Sequence, residues 1–158
     1  MNPPNPAGLQ FAVDMYADGP DYLYVSNVGD KTVEIYNITN PTDPARIGQF
    51  NGGNLNNPRG MAITGTTLYV ANQGNSTIEI YNIANPTSPV RVTEFGSGEV
   101  SEPAGMAITG ITLYVANQNN NTVEIYNIST PTAPVHAGQF NGGNVNLPYG
   151  LVINSFVG

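Results

Sequence analysis

The chain repeats itself every 45 residues. Leu23, Tyr24 and Val25 return as Leu68, Tyr69 and Val70, and again as Leu113, Tyr114 and Val115. Tyr36, Asn37 and Ile38 return as Tyr81, Asn82 and Ile83, then as Tyr126, Asn127 and Ile128. Pro58, Pro103 and Pro148 keep the same period, as do Gly60, Gly105 and Gly150. The run from Met61 to Asn72 differs from the run from Met106 to Asn117 only where Thr66 faces Ile111. A period of this length restricts the chain to architectures in which each unit buries its faces against its neighbours.

Each unit holds four short strand candidates. In the second, Gly60 to Thr64 is small and apolar, Gly65 marks a tight hairpin, and Thr67 to Ala71 is rich in β-formers. A turn cluster from Asn72 to Ser76 precedes Thr77 to Tyr81. Asn85 to Pro89 breaks the chain, because proline cannot donate to a ladder, and Val90 to Phe95 is the fourth strand. Nothing carries a helical period over a helix's length. The fold class is therefore all-β, and four strands per repeat predicts β-propeller blades. One propeller-type domain is expected over residues 1–158. Blade 1 falls at about 8–50, blade 2 at about 59–95, blade 3 at about 104–140 and an extra inner strand at about 149–154.

Two motifs carry a family resemblance. Val33 to Pro44, an apolar strand followed by Asn-Pro-x-x-Pro, resembles the LVIVD type of propeller repeat. Pro-x-Gly-Met-Ala-Ile followed by Leu-Tyr-Val-Ala-Asn is similar to the NHL and YVTN repeats. The resemblance spans about residues 8 to 154 and implies propeller architecture, but it assigns no single role, since such folds host many functions. These families usually carry six or seven blades in one chain.

Three blades form an open arc with two apolar end faces, and no polar cap is visible. Two arcs related by a two-fold axis would close a six-bladed ring, so a homo-oligomer of two chains is expected. Pro148 to Asn154 repeats an innermost strand, and Gly8 to Asp14 resembles one too, which allows strand exchange between copies or a fragment of a longer propeller.

Charge narrows the partners. The net charge is −7, with four Lys and Arg, too few to track a phosphate backbone or build a polybasic membrane patch. No stretch has the length of an apolar membrane span. Cysteine is absent, which excludes disulfides and thiolate chemistry. The start of the chain has no charged and apolar leader pattern. Abundant Asn, Thr and Gly with little Lys favour an extracellular or cell-surface location over a cytoplasmic one.

The candidate site is the mouth of the axis, where the variable position of Pro-x-Gly holds Arg59, Ala104 and Tyr149. Asn72 and Asn117 begin the amide-rich turns of the same face, offering donors and acceptors suited to sugars or peptide backbone. The plainer reading is that Asn and Gly there supply positive φ. Glu34, Glu79 and Glu124 repeat in the third strand and read as structural contacts away from the axis. His136, at the repeat position of Arg46 and Arg91, reads as a solvated residue without partners. Asp14, Asp18 and Asp21 are a weak calcium candidate that matches no EF-hand spacing. Asn37, Asn75, Asn120 and Asn127 lie in glycosylation sequons. The glycine-rich runs at Asn51 and Asn141 lack the lysine of a phosphate loop. No cofactor is expected. The sequence favours a non-enzymatic, self-assembling module that engages a protein or glycan. The alternatives are a structural subunit or a lactonase-like propeller hydrolase, the last predicting an axial cluster of His, Asp and Glu.

Overall fold

A computed structural model of the chain describes residues 12–18 and 21–154, with side chains from residue 21 onward. The expectations placed on the start of the chain, on residues 8–11 and on the side chains of Asp14 and Asp18 lie outside the described residues, while Ala12 to Asp14 fall in a described strand.

Three antiparallel sheets of four strands follow one another, the architecture of a partial β-propeller. The first holds β1 (Ala12–Asp18), β2 (Tyr22–Asn27), β3 (Thr32–Asn37) and β4 (Ala45–Phe50). The second holds β5 (Pro58–Thr64), β6 (Thr67–Asn72), β7 (Thr77–Asn82) and β8 (Val90–Phe95). The third holds β9 (Pro103–Thr109), β10 (Thr112–Asn117), β11 (Thr122–Asn127) and β12 (Val135–Phe140). Strands lie in sequence order within each sheet, so every connection is a hairpin. The turn between β5 and β6 has two residues. Gly65, at φ 55°, supplies the positive φ its first position needs.

The middle blade explains why its strands lack a polar face. All six residues of β6 are buried. Leu68 and Val70 point into a core shared with the first blade, beside Tyr24, Val33, Ile35 and Met61. Tyr69 and Ala71 point the other way, into a core shared with the third blade, beside Met106, Leu113 and Val115. Successive side chains of a strand face opposite sides, so a sheet packed on both faces must be apolar at both parities. The outer strands β4, β8 and β12 are largely exposed and form the rim.

Tyrosine hydroxyls lock the blades together. Tyr24 donates to the carbonyl of Pro86 at 3.0 Å, and its repeat equivalent Tyr69 donates to the carbonyl of Pro131 at 2.7 Å. Burial pushes the Tyr69 phenol up to about 12, so it stays a donor at neutral pH. A Tyr69→Phe variant is expected to lose about 1 kcal/mol of unfolding free energy in urea, the usual worth of one such bond.

A one-residue bulge sits at the same place in every blade. In the first, Glu34 pairs with Gln49 and Ile35 with Gly48, but Tyr36 pairs with Arg46, leaving Ile47 unmatched. Side-chain period is two, so the skip moves Arg46 to the face that carries Glu34. The same irregularity follows Ile80 and Ile125.

The segment after β12 departs from the expected extra strand. Leu151–Asn154 has no ladder. The Tyr149 carbonyl, accepting from the Gly105 N–H at 2.6 Å, ties the start of this stretch to β9. A strand needs a neighbour to pair with, and among the described residues no strand forms a ladder with this segment, although β9 passes close to it.

Candidate functional site at the mouth of the inner strands

The innermost strands β5 and β9 begin at the same end of the arc, and Tyr149 follows them there one repeat later. Proline opens each strand, where the lost N–H removes no interior ladder bond. The next residue therefore emerges at the mouth. Arg59 is half-buried there. Its Nε donates to Oε1 of Gln73 at 2.9 Å, and its Nη1 donates to the hydroxyl of Tyr149 at 2.5 Å. The guanidinium carbon also lies 5.6 Å from the centre of the Tyr149 ring, within cation–π range. Gln73 Nε2 in turn donates to Oε1 of Gln118 at 3.0 Å. One polar chain, Tyr149–Arg59–Gln73–Gln118, thus crosses from the segment after β12 to the turns that follow β6 and β10.

The sequence-named residues divide. Arg59 and Tyr149 come together. Ala104 does not join them: it is 1% exposed, and its carbonyl faces Gly60 across the gap between β5 and β9. Asn72 and Asn117 are buried and serve the fold. Asn72 accepts from the Asn56 N–H at 2.7 Å and donates to the Asn54 carbonyl and to Glu79 Oε1. Asn117 accepts from the Ser101 N–H at 2.6 Å and donates to the Glu99 carbonyl, Thr122 and Glu124. Both are the last residues of buried strands, so their amides point inward. The following residue in each turn, Gln73 or Gln118, faces the mouth instead. Sequence reading missed those two glutamines. Their equal position in the repeat was the available signal.

The repeated glutamates sit away from this mouth, each buried and paired. Glu34 Oε2 accepts from Arg46 Nε at 2.6 Å, and Glu79 Oε2 from Arg91 Nε at 2.7 Å. Burial holds the Glu79 carboxyl above its usual range, and hydrogen bonds from Arg91 and Asn72 oppose that shift. His136 corrects the expectation of an unpartnered residue. Its Nε2 lies 2.8 Å from Glu124 Oε2, and its ring sits 5.2 Å from that of Tyr126. A plain hairpin register would place it on the opposite face, and the bulge brings it round. Of the calcium candidates, Asp21 is exposed. Among the described residues no three His, Cys, Asp or Glu side chains converge as a metal-binding group.

Residues 10–99, and in an overlapping second match residues 64–145, fit the family described as lactonase, seven-bladed β-propeller. The chain belongs to this lactonase propeller family. The match supports the β-propeller architecture and does not confirm the LVIVD, NHL or YVTN repeat families. No curated protein matches the chain. Among solved structures, a functionally unknown protein from Desulfotomaculum acetoxidans superposes with a TM-score of 0.71 at 21% identity, covering 84% of this chain and 43% of that one. A putative 6-phosphogluconolactonase from Bacteroides fragilis gives 0.71 at 18% identity, covering 87% and 39%. The periplasmic gluconolactonase of Pseudomonas aeruginosa gives 0.68 at 17%, covering 90% and 40%. At such identities the likeness is one of fold. The chain spans about two fifths of the length of these three proteins.

The family match overturns the non-enzymatic reading and points to a lactonase-like propeller instead. That reading had demanded acidic groups and histidine at the axis. The mouth carries a guanidinium, a phenol and two amides, and the family is recognised from the pattern of the whole chain.

Proposed function

We propose that this chain contributes to a sugar-lactone hydrolase, with the mouth of its inner strands as the substrate site. The family match across residues 10–145 carries the reading. The names of the Pseudomonas and Bacteroides proteins support a gluconolactone-type substrate. Opening a lactone ring adds water to the carbonyl carbon with loss of a proton, which places negative charge on the carbonyl oxygen; collapse then breaks the bond from that carbon to the ring oxygen, which takes up a proton and leaves as a hydroxyl. Fixed donors aimed at that oxygen are worth most where water is scarce. Arg59 and Tyr149 are such donors, and Gln73 holds the guanidinium in place. The same guanidinium suits the carboxylate of the opened product, which it can hold through two parallel bonds.

Arg59→Ala is expected to lower kcat/KM for glucono-δ-lactone about 100-fold, the range seen when one oxyanion donor is removed. Titrating the acid released at constant pH, with the spontaneous rate subtracted, measures it. Unchanged kcat/KM in a folded Arg59→Ala variant would remove the mouth from the mechanism. We infer also a non-cytoplasmic location, supported by the likeness to a periplasmic enzyme. No helix among the described residues is long and apolar enough to cross a membrane.

A further inference from the structure

Asparagine side chains fold back onto their own backbone throughout the loops. In seven such turns among the described residues, the Oδ1 of an asparagine accepts the N–H two residues on. The residue in between decides what the turn can do chemically. Its amide nitrogen can close a five-membered ring onto the asparagine Cγ.

The turns fall into three kinds. Asn37, Asn82 and Asn127 are followed by Ile38, Ile83 and Ile128. Those amides are taken, donating to the carbonyls of Asp21, Thr66 and Ile111 at 2.8, 2.9 and 2.8 Å. Their β-branched side chains also crowd the approach. Asn40 and Asn85 are followed by Pro41 and Pro86, whose nitrogen has no proton to lose. Asn51 is followed by Gly52, whose N–H donates to no described group and which has no side chain to hinder approach.

The rest of the Asn51 turn favours attack on Cγ. Asn51 is exposed to water, and its Oδ1 accepts from the Gly53 N–H at 2.9 Å. That donor is already aimed at the oxygen that gains charge when Cγ is attacked. The main chain is held in place: the Asn51 carbonyl accepts from the Asn54 and Leu55 N–H groups at 3.2 and 3.3 Å and from the Tyr81 hydroxyl at 3.1 Å. Asn51 lies on the connection between the first and second blades, with both of them beside it. The same turn recurs at Asn141, and the middle connection replaces it with Gly96 and Ser97.

We propose that Asn51 is a self-modifying site that converts to aspartate and isoaspartate in the folded protein. The Gly52 nitrogen gives its proton to hydroxide and bonds to Asn51 Cγ. The tetrahedral carbon collapses, and the side-chain nitrogen takes up a proton and leaves as ammonia. A five-membered succinimide remains, and water opens it. Cleavage of the bond from Gly52 nitrogen to Cγ gives aspartate. Cleavage of the bond from that nitrogen to the main-chain carbonyl carbon gives isoaspartate. No oxidant or reductant enters. Each conversion adds one negative charge. The isoaspartyl form also routes the main chain through the side chain and turns the carbonyl that holds Tyr81 into a free carboxylate. The site is independent of the lactone chemistry.

Peptide mapping by mass spectrometry tests it. The 158-residue chain, kept folded as circular dichroism checks, and a synthetic peptide of residues 47–55 are incubated side by side at mildly alkaline pH. The folded chain is expected to convert Asn51 at least as fast as the peptide and up to about tenfold faster, the worth of one hydrogen bond to the charged oxygen. Asn82 and Asn85 in the folded chain are expected to lag behind Asn51 by about tenfold or more, since their following amides are taken or lack a proton. Slower conversion of Asn51 in the folded chain than in the peptide would overturn the proposal. So would a smaller lag at Asn82 or Asn85.

Discussion

Gly60→Ala is expected to cost about 3 kcal/mol or more, a large share of the roughly 5–15 kcal/mol that holds a domain of this size together. Neither φ nor turn geometry demands glycine here, since Gly60 is absent from the positive-φ positions. Its role is close approach. The added methyl would lie 2.3 Å from the Ala104 oxygen and 2.8 Å from the Gly105 Cα, both main-chain atoms of β9. A side chain could rotate away, but a strand held by its own ladder moves only with its blade. The sign is diagnostic. Where space allows, Gly→Ala stabilises by about 0.4–1 kcal/mol through the unfolded chain. Gly48→Ala supplies that contrast: it meets nothing within 4 Å on the rim and is expected to be neutral or mildly stabilising. Urea unfolding followed by tyrosine fluorescence measures both, since the chain has nine tyrosines and no tryptophan.

The second large effect lies in the buried ion pair of the middle blade. Arg91 donates from Nε to Glu79 and from Nη2 to Glu94 at 2.8 Å, and Glu79 has no exposed surface. Arg91→Ala strands that carboxylate. Breaking a buried pair from one side costs about 3–5 kcal/mol, and the partial exposure of Arg91 brings the expectation to about 2–4 kcal/mol at pH 7. The pH dependence has a definite sign. Burial makes folded Glu79 hold its proton more tightly than the unfolded chain does, so its contribution to stability falls as pH rises above the ordinary carboxyl value of 4.5. Removing Arg91 takes away a bond that opposes this shift. The gap between variant and wild type is therefore expected to widen from pH 4 to pH 7 and to close on acidification. A gap independent of pH would mean that Glu79 is not the group left unpaired. Adding Glu79→Gln to Arg91→Ala is expected to recover most of the loss, because a neutral amide remains bonded to Asn72.

The sequence made the blades legible because the 45-residue period and the strand alternation state the same thing twice. Leu68 and Tyr69 are both apolar because both faces of β6 are covered, and that is visible without coordinates. The bulges were not legible. No residue announces that Ile47 drops out of register, yet that one skip decides whether Arg46 faces Glu34 and whether His136 faces Glu124. At the mouth, the Pro-x-Gly rule found Arg59 and Tyr149. It also drew in Ala104, whose short side chain is covered, and the turn-opening Asn72 and Asn117, which belong to buried strand ends. Gln73 and Gln118 were passed over as ordinary turn residues. Function was the least legible part. A lactonase was expected to show histidine and carboxylates at the axis, whereas the mouth places an arginine and a tyrosine in contact.

The most direct test is whether the purified chain opens a sugar lactone. Glucono-δ-lactone is added at millimolar concentration, and the acid released at constant pH is titrated with and without protein. A rate that exceeds spontaneous hydrolysis, scales with protein concentration and falls about 100-fold in kcat/KM with Arg59→Ala is the predicted result. A rate equal to the spontaneous one for both glucono-δ-lactone and its 6-phosphate, from protein shown to be folded, would contradict it.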